Sequence, residues 1–167
     1  MACDPIVFLD IDGVLNCKLE IDRRINNNEK LGTSLISEQC VRAFEQVISK
    51  VPTVKLVISS TWRYKFKNGY DKPDVFEGKL WSDYIGATIA SRIVDQTSRT
   101  KANYCRGNDI HRWLKNNEHG NWVIIDDDQD MLDYQIPNLV LTDWENGFTE
   151  QHISKVVEIL NARYSDD

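Results

Sequence analysis

Residues 6–16 read IVFLDIDGVLN, an apolar run that ends in two carboxylates two residues apart and then a glycine. The run constrains the fold. Ile6, Val7, Phe8 and Leu9 are continuously apolar, as in a parallel strand covered on both faces, whereas a surface strand would alternate apolar and polar residues. Carboxylates do not belong inside such a strand. Asp10 and Asp12 therefore emerge at its carboxyl end, where open α/β sheets bind their ligands, and Gly13 lets the chain turn tightly beside a bound group. Two like charges this close repel unless a cation sits between them, and carboxylates with a substrate phosphate suit Mg²⁺. A plain Asp-Gly turn is the competing reading. A calcium loop is excluded, because counting from Asp10 as position one puts Leu15 at position five and Ile21 at position twelve, where an EF-hand needs oxygen ligands.

The pattern recurs along the chain. Residues 54–60, VKLVISS, form a second expected strand that runs into hydroxyls. Residues 122–125 form a third, ending in Asp126, Asp127 and Asp128, and residues 139–141 a further one. Between them lie helical patterns. Ser37 is a natural N-cap for a helix with Val41, Phe44, Val47 and Ile48 on one face, ended by Pro52. Residues 108–115 place Ile110, Trp113 and Leu114 on one face, and Gly147 and Thr149 open a last helix striped by Ile153, Val156, Val157 and Leu160. This alternation predicts an α/β fold with a mainly parallel sheet. Residues 16–34 are polar without an apolar period and read as a flap or long loop over the strand ends. Residues 62–100 form a variable region, with a turn at 69–73, a strand around 85–89 and room for a small lid.

At 167 residues the chain reads as one domain spanning 1–167, large enough to bury roughly two-thirds of its unfolded surface. Its 41% hydrophobic and 28% charged residues match ordinary globular proteins and exclude disordered or fibrous classes. No run approaches membrane-spanning length, and MACDP lacks the features of a signal sequence, so the expected setting is cytoplasmic, with no membrane partner. Cys3, Cys17, Cys40 and Cys105 form no C-x-x-C pair, which argues for free thiols, Cys17 near the mouth of the site. A net charge of −6 excludes a general nucleic-acid coating protein. Arg63, Lys65 and Lys67 could still form a local basic groove, with Arg99, Lys101 and Arg106 as a second set. The five tryptophans read as core or lid packing, and the histidines have no metal-like spacing.

Three strands thus end in functional chemistry, and in a parallel sheet those ends share one edge. The expected site is a cation pocket of Asp10, Asp12 and Asp127, with Ser60 bonding an anionic oxygen. Ser59 is the alternative, because a strand end cannot be fixed to one residue. Arg106 is the best positive side chain, since guanidinium binds phosphate oxygens bidentately; Lys101 is held in reserve.

These motifs resemble, in order, those of the haloacid-dehalogenase-like (HAD) phosphohydrolases. FLDIDGVLN is similar to their Asp-x-Asp motif, VISSTWR to their strand-ending Ser/Thr motif, Arg106 in CRGNDIHRWL to their Lys or Arg beside a helix start, and WVIIDDDQDM to their acidic pair. ISSTWR and RGNDIHRWL look closest to small HAD modules of nucleic-acid end repair and to phage-encoded phosphatases. The resemblance implies a Rossmann-like three-layer sandwich with minimal or no cap domain. It also implies a two-step mechanism, with Asp10 as nucleophile, Asp12 as general acid and base, and Ser60 and Arg106 holding the transferring oxygens. Mg²⁺ would be held by Asp10, the Asp12 backbone carbonyl and Asp127, with Asp126 supporting the metal shell. A capless site stays open to bulky substrates, so a nucleotide or a nucleic-acid 3′-phosphate end is expected, with Arg63, Lys65 and Lys67 tracking the polyanion. Competing readings are a small-molecule phosphatase and an idle phosphate-binding module.

Overall fold

The first apolar run forms β1 (Ile6–Leu9), and all four of its residues are buried. In the computed structural model, which describes residues 3–30, 35–64, 80–98 and 105–162, four more strands follow: β2 (Lys55–Ile58), β3 (Ile93–Gln96), β4 (Trp122–Asp126) and β5 (Leu139–Leu141). They make one five-stranded sheet of order β3-β2-β1-β4-β5 in which every pairing is parallel. β1 therefore lies at the centre, and its carboxyl end opens between those of β2 and β4.

Among the described residues five α-helices connect or flank the strands: α1 (Lys18–Asn26), α2 (Glu38–Lys50), α3 (Trp81–Ala90), α4 (Arg106–Asn116) and α5 (Glu150–Asn161). The two-residue period of a strand sorts the core into two layers. Val7, Leu9, Leu56, Ile58, Val123 and Ile125 pack with α2, α3 and α5. Ile6, Phe8, Val57 and Ile124 pack with Ile110 and Trp113 of α4, and Phe8 meets Trp113 edge-on at 5.4 Å. The fold is thus the expected α/β three-layer arrangement, and no cap domain is evident among the described residues. No helix of the described residues is long and apolar enough to cross a membrane.

The expected caps form. Ser37 accepts the Cys40 N–H at 3.3 Å to start α2, and the Thr149 N–H donates to His152 Nδ1 at 3.0 Å to start α5. Two expectations need correction. The polar segment 16–34 is not simply a loop: it contains α1, which buries no residue and so shows no apolar period. Arg23 bridges Glu20 and Glu29 along that helix, and its first turn donates Lys18 N–H to the Trp144 carbonyl at 2.8 Å. The strand expected at 85–89 is instead part of α3, whose apolar residues Ile85 and Ile89 are spaced by one helical turn. β3 follows it as a short edge strand with half-buried residues, a pattern too brief and polar to stand out. The turn at 69–73 lies outside the described residues.

Candidate active site

Register sets the site. Leu9 pairs with Ile58 on one side and Ile125 on the other, so Asp10 stands between Ser59 and Asp126 in one cross-strand row. The Asp10 N–H donates to the Ile125 carbonyl at 3.1 Å, and the Ser59 N–H to the Leu9 carbonyl at 3.0 Å. By alternation this row faces the same side as Phe8, toward α4. Arg106, the first residue of α4, meets it there. One guanidinium nitrogen, Nη1, lies 2.6 Å from Asp10 Oδ2 and 2.5 Å from Asp126 Oδ2. The start of α4 is gripped in turn by the acidic loop, since the Arg106 N–H donates to Asp130 Oδ2 at 3.0 Å.

Burial sharpens the electrostatics. Asp10 is 3% exposed and Asp126 fully buried. Burial, reinforced by the Asp10 carboxylate, pushes the Asp126 carboxyl up to about 7, against the pull of Arg106. Burial and Asp10 also raise Asp127. For Arg106, burial works against the charged form, but Asp10 and Asp126 outweigh it and hold the guanidinium above its ordinary value.

Asp127 closes the cluster. Carboxylate oxygens of Asp10, Asp126 and Asp127 all lie within 4.8 Å of one another. Gly13, at φ +70°, packs its backbone against Asp127 so closely that a Cβ there would stand 2.2 Å from Oδ2. Thr142 steadies the same turn by donating its hydroxyl to the Gly13 carbonyl at 2.7 Å. An all-oxygen donor set of this spacing fits a hard divalent cation. The Asp12 carboxylate is not part of the group. It accepts from Asn16 Nδ2 at 2.7 Å and from the Trp62 indole N–H at 3.0 Å to each oxygen.

Two expectations about β2 change. Ser60 Oγ accepts the Trp62 N–H at 3.2 Å and lies one residue beyond the Asp10 row, whereas Ser59 is in the row. Ser59 Oγ is buried and has no hydrogen-bond partner among the described residues. The second correction concerns Arg63, which is 1% exposed and cannot belong to a surface groove. Its Nη1 donates to the Ser59 and Ser60 carbonyls at 2.5 and 2.7 Å, and its Nη2 lies 3.2 Å from Asp109 Oδ2 on α4. It ties the end of β2 to the helix that carries Arg106. Lys65, Lys67, Arg99 and Lys101 lie outside the described residues. Cys17 is buried at the start of α1 against Cys40.

Sequence reasoning missed Trp62, Asp109 and Asp130 as parts of the site. The signal for Trp62 was its place directly after the hydroxyl strand end; Asp109 falls three residues after Arg106, on its helical face. A separate concavity of about 1120 Å³ between α1, α2 and the start of α5 holds none of the site residues.

Carboxylates at the ends of β1 and β4, a buried hydroxyl at the end of β2 and a guanidinium from the helix before β4 meet in the motif order expected of a HAD-like domain. Over residues 6–153 the chain matches the family described as the HAD domain in Swiss Army Knife RNA repair proteins, and it belongs to that family. No curated protein and no solved structure matches the chain.

Proposed function

We propose that the chain is a Mg²⁺-dependent phosphatase that transfers the phosphoryl group through Asp10 and acts on phosphorylated nucleic-acid ends. The observation that carries this reading is the shared Arg106 Nη1, 2.6 Å from Asp10 and 2.5 Å from Asp126, with the free Ser59 hydroxyl in the same row.

Asp10 attacks phosphorus, forming an Asp10–phosphoryl bond as the ester P–O bond breaks. Asp12 gives its proton to the departing oxygen, then takes one from the water that releases phosphate and restores Asp10. Arg106 and Ser59 hold the transferring oxygens, and Arg106 also fixes the nucleophile's orientation. Asp10, Asp127 and the Asp12 carbonyl, supported by Asp126, would hold Mg²⁺, which supplies positive charge between the anionic nucleophile and the anionic phosphate.

Substrate class rests on two supports. The family is that of HAD domains in RNA repair proteins, and no cap domain is evident among the described residues to restrict entry. Lys65 and Lys67 are assigned to the polyanion by charge and position alone. Purified protein should hydrolyse p-nitrophenyl phosphate with Mg²⁺, lose that activity on chelation, and prefer a 3′-phosphorylated oligonucleotide to small sugar phosphates. Chelator-insensitive turnover contradicts the metal assignment, and equal or reversed preference contradicts the substrate.

A further inference from the structure

Asp12 is held unusually firmly for a group that must hand over a proton at an open sheet edge. Its Oδ1 accepts both Asn16 Nδ2 at 2.7 Å and the Trp62 indole N–H at 3.0 Å, while its Oδ2, among the described residues, shares the indole N–H alone. Both donors are themselves fixed. Asn16 Oδ1 accepts the Gly13 N–H at 2.9 Å, within the same turn. Trp62 is 4% exposed, stands edge-on to Tyr84 of α3 at 5.8 Å, and its backbone is bonded to Ser60 Oγ. The carboxylate is therefore gripped from β1's own turn and from the segment after β2.

We infer that Trp62 is a positioning residue that aims Asp12 Oδ2, the oxygen with fewer donors, at the leaving group, and so fits the enzyme to phosphate esters of ordinary alcohols. A proton on Oδ1 would face two donors, whereas a proton on Oδ2 leaves the indole N–H to Oδ1. The inference rests on the proposed role of Asp12. It goes beyond that role because it assigns the substrate class through leaving-group chemistry. An aryl ester such as p-nitrophenyl phosphate expels a stable anion and needs little protonation. The alkoxide oxygen of an alkyl ester, such as the phosphate ester of a sugar hydroxyl at a nucleic-acid end, departs only with a proton, so a correctly aimed acid is worth most there.

The test is kcat/KM across substituted phenyl phosphates and an alkyl phosphate, with Mg²⁺, for wild type, Trp62→Phe, Asp12→Asn and the double variant. Trp62→Phe should lower kcat/KM for the alkyl ester about tenfold or more and for p-nitrophenyl phosphate less than about threefold. In the Asp12→Asn background the same change should cost nothing further, because its effect passes through Asp12. Equal losses on both ester types, no loss on either, or an undiminished loss in the Asp12→Asn background would each overturn the inference while leaving the phosphatase reading standing. Absence of Mg²⁺-dependent turnover by wild type would overturn both. If Trp62→Phe lacks a cooperative melt, β-(3-benzothienyl)alanine at position 62, which keeps the ring shape and removes the N–H, carries the same comparison.

Discussion

Replacing Arg63 by Met should destabilise the protein far more than a surface arginine would. Arg63 is 1% exposed, and its guanidinium serves the Ser59 and Ser60 carbonyls as well as the fully buried Asp109 side chain. Removing one partner of a buried ion pair typically costs about 3–5 kcal/mol, because the remaining charge stays desolvated. That is a large share of the roughly 5–15 kcal/mol that holds a domain folded. For a chain of this size, at about 2–4 °C per kcal/mol, Tm should fall by about 6–20 °C. The double variant Arg63→Met/Asp109→Leu should recover part of the loss by also removing the buried carboxylate that faced Arg63. It should not recover all, since the Ser59 carbonyl loses its guanidinium donor, at about 1–3 kcal/mol, while the Ser60 carbonyl keeps the backbone N–H of residue 63. Thermal melts followed by circular dichroism, with urea titrations for the free energies, measure both. A fall under about 3 °C for Arg63→Met, or a double variant less stable than the single, would refute the idea that this pair holds β2 to α4.

Other expectations follow from single contacts. Gly13→Ala places a side chain at φ +70° and a Cβ 2.2 Å from Asp127 Oδ2. The backbone alone costs about 1–2 kcal/mol, and the displaced carboxylate should weaken Mg²⁺ binding about 10–100-fold by calorimetry. His152 is held below its ordinary value by burial and accepts the Thr149 N–H while neutral. Its folded pKa is depressed, so it contributes stability above the unfolded value of 6.5, and that contribution is lost as pH falls from there through the folded value. His152→Gln, which keeps an acceptor in the cap, should flatten this acid-side loss in melts across pH. Asp126 is raised to about 7, so without metal its contribution is full below the ordinary 3.8 and declines as pH rises through about 7. Added Mg²⁺ should therefore raise Tm more at alkaline than at acid pH, and an equal rise at both would contradict its place in the metal cluster.

The strand ends were legible because buried apolar runs that stop at carboxylates have few other physical explanations. Asp10 and Asp127 came from that logic, Arg106 from the need for a positive side chain beside them, and the structure brings Asp10 together with each. The serine could not be fixed the same way: adjacent hydroxyls at a strand end differ only in register, and it is the pairing of Leu9 with Ile58 that separates Ser59 from Ser60. Arg63 looked like part of a basic patch because sequence shows charge but not the buried Asp109 that neutralises it. α1 was invisible for the opposite reason. A helix that buries no residue and is held by arginine–glutamate pairs leaves no hydrophobic period to read. Trp62 has a double role, packing on Tyr84 while its N–H serves Asp12, and only the first is implied by an apolar side chain.

The central claim is that Asp10 carries the phosphoryl group between the two chemical steps. Rapid acid quench of turnover with radiolabelled substrate, followed by peptide mapping, tests it most directly. The account predicts a hydroxylamine-labile label on the peptide containing Asp10, absent from Asp10→Asn. Label on a serine or histidine, or full turnover by Asp10→Asn, would contradict it.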